Sequence, residues 1–154
     1  MSKEIKALRL KKYHLDPLIK FLDVPMHGPT ARARNKFIKL LSVSWKEAED
    51  ERVKLLNSLC EKDKKGVPIM EDRVSVKNGQ KLITPHFKLS LKDQEKFTKV
   101  NEAMWLEDAV FDVLPSNEDN MFLIKNAVLN LRREFDATEG AIYDEICEAF
   151  ELLK

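Results

Sequence analysis

Glycine is scarce in this chain. Its four glycines, Gly28, Gly66, Gly79 and Gly140, are scattered over 154 residues, whereas a phosphate-binding loop needs them clustered so that backbone N–H groups can close on the anion. Nucleotide fingerprints built on such loops are excluded. Cysteine is equally sparse: Cys60 and Cys147 stand singly, with no Cys-x-x-Cys or Cys/His spacing to close a zinc site. No apolar run approaches the roughly 20 residues that span a bilayer, and the opening MSKEIKALRLKK lacks the apolar core of a secretory signal. The expected setting is the cytosol, with reduced thiols and no membrane partner. Net charge is missing as well. Although 34% of the residues are charged, the formal sum is only +1, so whole-molecule attraction to nucleic acid or anionic lipid is weak.

The charges that are present are unevenly placed. Residues 1–46 hold eleven Lys/Arg against three Asp/Glu, and residues 100–154 hold four against thirteen. A basic front and an acidic back can pair within one fold, or each can recruit a partner. The length and the 44% hydrophobic content suit one domain with one core, residues 1–154.

The periodicity predicts a mainly α fold with a small β element (α+β), in which a long helix is packed by shorter helices and a β-hairpin. Residues 4–10 could form a short edge strand. HLDPLIKFLD reads as a short helix capped by Asp16, with Pro17 at its first position. A long helix follows from about Thr30 to Lys62, ended by KDKKG and Gly66. Its apolar positions Ile38, Leu41, Trp45, Ala48, Leu55 and Leu59 alternate at spacings of three and four, a coiled-coil-like seam interrupted once by Arg52 and widened by Phe37, Leu40 and Leu56. At about 1.5 Å per residue the rod would be close to 50 Å long, more than a domain of this size spans, so one end should project or be covered by another subunit, the latter giving a homo-oligomer through this helix. Asn78-Gly79 between alternating segments predicts a hairpin over 73–83, continuing through Pro85 to HFKL. Ser90-x-x-Asp93 opens a helix with Phe97, Val100, Met104 and Trp105 inward. AVFDVLP reads as a strand, and helices over 118–134 and 138–153 finish the chain, the last started by Asp136-x-x-Glu139.

No motif marks a catalytic or metal-binding constellation, so the chain reads as non-enzymatic and without a cofactor. His14, His27 and His86 share no ligand spacing and read as surface or loop-packing residues. The carboxylates of EAEDE, residues 47–51, point in different directions around a helix and read as a solvated face. The cations opening the long helix are more organised. Arg32, Lys36 and Lys39 fall at i, i+4 and i+7 and form one stripe, while Arg34 projects about 160° from Lys36 and is free to turn inward. Three readings are open for this cluster: pairing with the acidic residues 100–154, docking on an acidic protein surface, or contact with nucleic acid phosphates. The last lacks aromatic interleaving or a helix-turn-helix to accompany it. Trp45, Trp105 and Tyr143 are the aromatic candidates for partner anchors, set against the alternative that each packs in the core.

Three blocks, TARARNKFIKLL at 30–41, EKDKKGVPI at 61–69 and EGAIYDEICEAFE at 139–151, together resemble an uncharacterised family of proteins of about 150 residues encoded by phages and prophages of Gram-positive bacteria. In that family a basic stretch leads a long helix, followed by a D-x-x-G-x-P turn and an A-x-x-Y-D-x-x-x-x-x-F-E helix. The matching positions are Arg32, Arg34, Phe37 and Leu41, then Gly66 and Pro68, then Ala141, Tyr143, Asp144, Phe150 and Glu151. The resemblance implies viral origin, action in the host cytoplasm and no known cofactor, and it carries no catalytic role. The expected function is a protein-binding module acting on a host protein, antiviral defence included, or within a phage assembly. The alternative is a nucleic-acid-binding accessory protein using residues 30–39.

Overall fold

A computed structural model describes residues 6–153, so positions 4 and 5 of the expected first strand lie outside the described residues. The fold is mainly α with a small β element. Its contacts gather into two compact units: the chain up to Ala48 together with the chain from Trp105 onward, and Glu49–Met104.

The first unit contains a two-stranded antiparallel sheet of β1 (Lys6–Lys11) and β4 (Asp108–Val113). Alternation puts Leu8 and Leu10 on one face with Ala109, Phe111 and Val113, all buried. The two lysines of β1 meet acids: Lys11 Nζ lies 2.8 Å from Asp108 and Lys6 lies 4.0 Å from Glu118, while Lys12, just after the strand, lies 3.0 Å from Glu107. The basic front therefore does meet the acidic back, but through this strand rather than through the cations of the long helix.

A 3-10 turn, Lys12–His14, runs directly into α1 (Leu15–Phe21). Asp16 is consequently inside the first turn and not the cap expected of it, because the backbone is already helical at His14. It pairs with Lys20 one turn on, at 3.0 Å. The long helix α2 spans Gly28–Leu59, starting two residues before Thr30 because Pro29 fits a first turn without needing an N–H partner. Ala33, Phe37 and Leu41 are buried in the core, with Ile38 and Trp45 packed against it. Leu40 was expected to widen this stripe and is instead exposed.

Helices α4 (Glu118–Leu129) and α5 (Ala137–Glu151) complete this core with Met121, Ile124, Val128, Ile146 and Phe150. The expected helix over 118–134 stops at Leu129. The Asn130 amide donates to the Asn126 carbonyl at 2.7 Å, and the chain turns so that Leu131 and Phe135 pack from a loop. Asp136 caps α5 as its sequence suggested, accepting from the Glu139 N–H at 2.7 Å.

The second unit contains the remainder of α2, the hairpin of β2 (Met70–Lys77) and β3 (Gln80–Phe87), and most of α3 (Leu91–Trp105). The hairpin turns where expected: Asn78 and Gly79 both take positive φ, 52° and 76°. Its second strand continues through Pro85 to Phe87 as expected, and its first begins at Met70, three residues before Arg73. The α2 helix ends at Leu59, short of Lys62, and Gly66 does not terminate it. Residues 63–68 form a turn of their own, in which the Asp63 carboxylate accepts from the N–H groups of Lys65 and Val67 and Gly66 takes φ 79°. Ser90 caps α3 by accepting from the Asp93 N–H at 3.2 Å. Of the residues expected inward on α3, Met104 is buried, Phe97 and Trp105 are partly buried, and Val100 is exposed.

Candidate protein-binding surface

The four cations at the start of α2 divide into three and one. Arg34 turns back along the fold, donating to the Val24 carbonyl and, at 3.4 Å, to the Leu22 carbonyl. These carbonyls follow α1, where a helix leaves acceptors without intrahelical donors and favours a positive charge. Arg32, Lys36 and Lys39 are exposed, and among the described residues none of them joins an ion pair. Internal neutralisation, the first reading of this stripe, is thus made by Arg34 alone and against carbonyl oxygens rather than carboxylates.

Beside the stripe lies an apolar groove between α2 and α4. Its volume is about 190 Å³, and Lys36, Phe37 and Leu40 on one side face Asn120, Met121 and Ile124 on the other. It continues into a second depression of about 300 Å³ where Leu40 and Val43 of α2 meet Val110 and Phe111 of β4. Leu40 is 47% exposed and Val43 58%, so large apolar side chains stand open at the rim while Phe37 and Met121 form the floor. The turn supporting the α4 side is held by Asn117, whose side chain accepts from the Leu114 N–H at 2.7 Å and donates to the Asp112 carbonyl at 3.0 Å. Lys36 and Leu40 are four residues apart on one helix face, which places a cation and an apolar contact on the same edge of the groove.

The aromatic candidates are used differently. Trp45 packs against the core. Trp105 is partly buried and already engaged within the chain. Tyr143 stacks on Phe135 at 4.6 Å, stands edge-on to Phe21 at 6.4 Å and donates its hydroxyl to the Val128 carbonyl at 2.6 Å. None of the three lines the groove. The surface missed in the sequence is the flank formed by Leu40 and Val43; their i, i+3 spacing outside the main seam was its only trace.

A second polar cluster joins β1 to α5. Of the two roles expected for the histidines, surface or loop packing, His14 takes the second, buried in the 3-10 turn before α1. Its Nδ1 accepts from the Lys11 N–H at 3.2 Å, which leaves Nε2 to donate to Glu145 at 2.7 Å, and the Tyr13 hydroxyl donates to the same carboxylate. The bond from His14, followed by that from Tyr13, holds the Glu145 carboxyl below its ordinary pKa. In turn the bond to Glu145 pushes the Tyr13 phenol up to about 12. A lowered carboxyl pKa stabilises the fold above the unfolded value and loses that contribution as pH falls through the folded one; a raised phenol pKa stabilises it below pH 10.0 and loses the contribution towards about 12. Melting followed by circular dichroism should therefore weaken at both ends, with Glu145→Gln flattening the acid limb and Tyr13→Phe the alkaline one. Glu145 is half exposed, so screening keeps the acid effect within about 1 kcal/mol.

Among the described residues no group of three His, Cys, Asp or Glu side chains is placed to hold a metal ion, and no helix is long and apolar enough to cross a membrane. No protein-family model, curated protein or solved structure matches the chain.

Proposed function

We propose that this chain is a phage-encoded, non-enzymatic protein-binding module that uses the α2/α4 groove and its cationic rim to take an acidic amphipathic segment of another protein. The carrying observation is the coincidence of open apolar side chains, Leu40 and Val43, with exposed cations that have no carboxylate partner among the described residues. An amphipathic helix laid in such a groove places apolar anchors on its floor and carboxylates against the rim. Charge of this kind steers encounter and fixes orientation, and the apolar contacts hold the complex. The three blocks that resemble phage and prophage proteins support a bacterial host as the setting. The partner is then a host protein, defence factors among them, or a component of phage assembly.

The test is comparative capture from a Gram-positive host lysate by wild-type protein, Lys36→Glu and Leu40→Ser. A partner retained by wild type should bind at least about tenfold more weakly to each variant, with helical content unchanged. Equal retention by all three proteins, or none by wild type, overturns the reading. The unpaired cations also suit nucleic acid, and a labelled duplex and single strand run at low salt separate the two: retardation that disappears in Lys36→Glu but persists in Leu40→Ser favours phosphate contact.

A further inference from the structure

The β2–β3 hairpin carries large aliphatic side chains in water. Val74, Val76 and Ile83 share one face and are 62%, 70% and 65% exposed. A two-stranded hairpin with an open face gains little stability alone, and further strands are the usual remedy. The two edges differ in what they offer. In a hairpin closed by a two-residue turn, Lys77 and Gln80 exchange hydrogen bonds, so Val76, Val74 and Asp72 on β2, and Lys81, Ile83 and Pro85 on β3, point their backbone groups outward. Pro85 has no N–H, and the β3 edge is therefore interrupted. The β2 edge has no proline, and its outward groups have no other backbone partner among the described residues.

We infer that β2 is a self-association strand, which pairs antiparallel with β2 of a second copy about a two-fold axis at Val74. The outward-pointing residues must meet one another across such an axis, which restricts the register to steps of one residue in the axis position. Centring on Val74 opposes Asp72 to Val76 and Glu71 to Lys77 of the second copy, giving two opposite-charge pairs per dimer. Centring on Arg73 would set that arginine against itself; centring on Ser75 would set Arg73 against Lys77. Like charges directly opposite are unfavourable. Charge complementarity thus selects one neighbouring register out of three and selects a second copy of this chain as the occupant. The result is a four-stranded sheet with Val74, Val76 and Ile83 of both copies on one face.

Analytical ultracentrifugation of the full chain tests this independently of the groove. Wild type should sediment as a concentration-dependent dimer. Val74→Pro removes an outward N–H while leaving the hairpin's own ladder intact, and should be monomeric with an unchanged circular dichroism spectrum. Glu71→Lys and Lys77→Glu should each weaken the dimer about tenfold, and the double swap Glu71→Lys/Lys77→Glu should restore it. A wild-type monomer at several hundred micromolar overturns the inference. So does a dimer that survives Val74→Pro, or single reversals that the double swap does not rescue.

Discussion

Phe150→Ala should cost about 3–5 kcal/mol of unfolding free energy, because the removed ring leaves a cavity that the surrounding helices cannot close. Phe150 is fully buried on α5, with its ring 6.2 Å from that of Phe37 on α2, and Phe37 in turn stands 5.8 Å from Phe111 on β4. Three elements distant in sequence therefore meet at one aromatic contact chain. For a protein of this length the loss corresponds to a fall in melting temperature on the order of 10 °C, measurable by calorimetry. Leu152→Ala, two residues further on, supplies the control. Leu152 is exposed, and its truncation should stay within about 0.5 kcal/mol. Equal effects at the two positions would contradict the packing described for α5.

The second large effect separates cations that the sequence presents as one cluster. Arg34→Ala should destabilise the first unit by about 1.5–3 kcal/mol, the range for a hydrogen bond from a charged donor whose removal leaves partly buried acceptors unpaired. The carbonyls concerned are those of Leu22 and Val24, just beyond α1. Arg34→Lys should recover only part of the loss, since both hydrogen bonds come from the terminal Nη1, one bond further out than a lysine Nζ, and lysine has no counterpart of the Nε–H that donates to Asn35. Arg32→Ala, Lys36→Ala and Lys39→Ala should each remain within about 0.5 kcal/mol, as exposed residues without ion pairs among the described residues. Urea unfolding midpoints of the four alanine variants read this contrast directly. A pattern in which Arg32 or Lys36 proves as costly as Arg34 would remove the argument that the stripe is free for a partner.

The separation also shows why the candidate surface was only half legible. Helical spacing alone put Arg32, Lys36 and Lys39 on one stripe and Arg34 elsewhere, because 3.6 residues per turn is a local property. Whether the stripe met carboxylates was not local. The acids of residues 100–154 are where composition located them, but antiparallel pairing of β1 with β4 brings Lys6, Lys11 and Lys12 to them instead. Leu40 illustrates the same limit. Its spacing put it beside the buried seam, as a widening of the apolar stripe, and only the placement of α4 leaves it at the mouth of a groove. His14 gave no spacing signal, since its partner Glu145 is 131 residues away.

What the sequence determined by itself is what short-range physics decides. Asn78-Gly79 set the hairpin because both positions require positive φ, Asp136 and Ser90 set helix starts because their side chains replace missing acceptors, and the apolar repeat from Phe37 to Ala48 set the buried side of α2. The tertiary structure decided where helices stop, which apolar flanks stay open and which charges find partners. Those outcomes depend on segments far apart in the chain competing for the same surface, and no window of neighbouring residues records who wins.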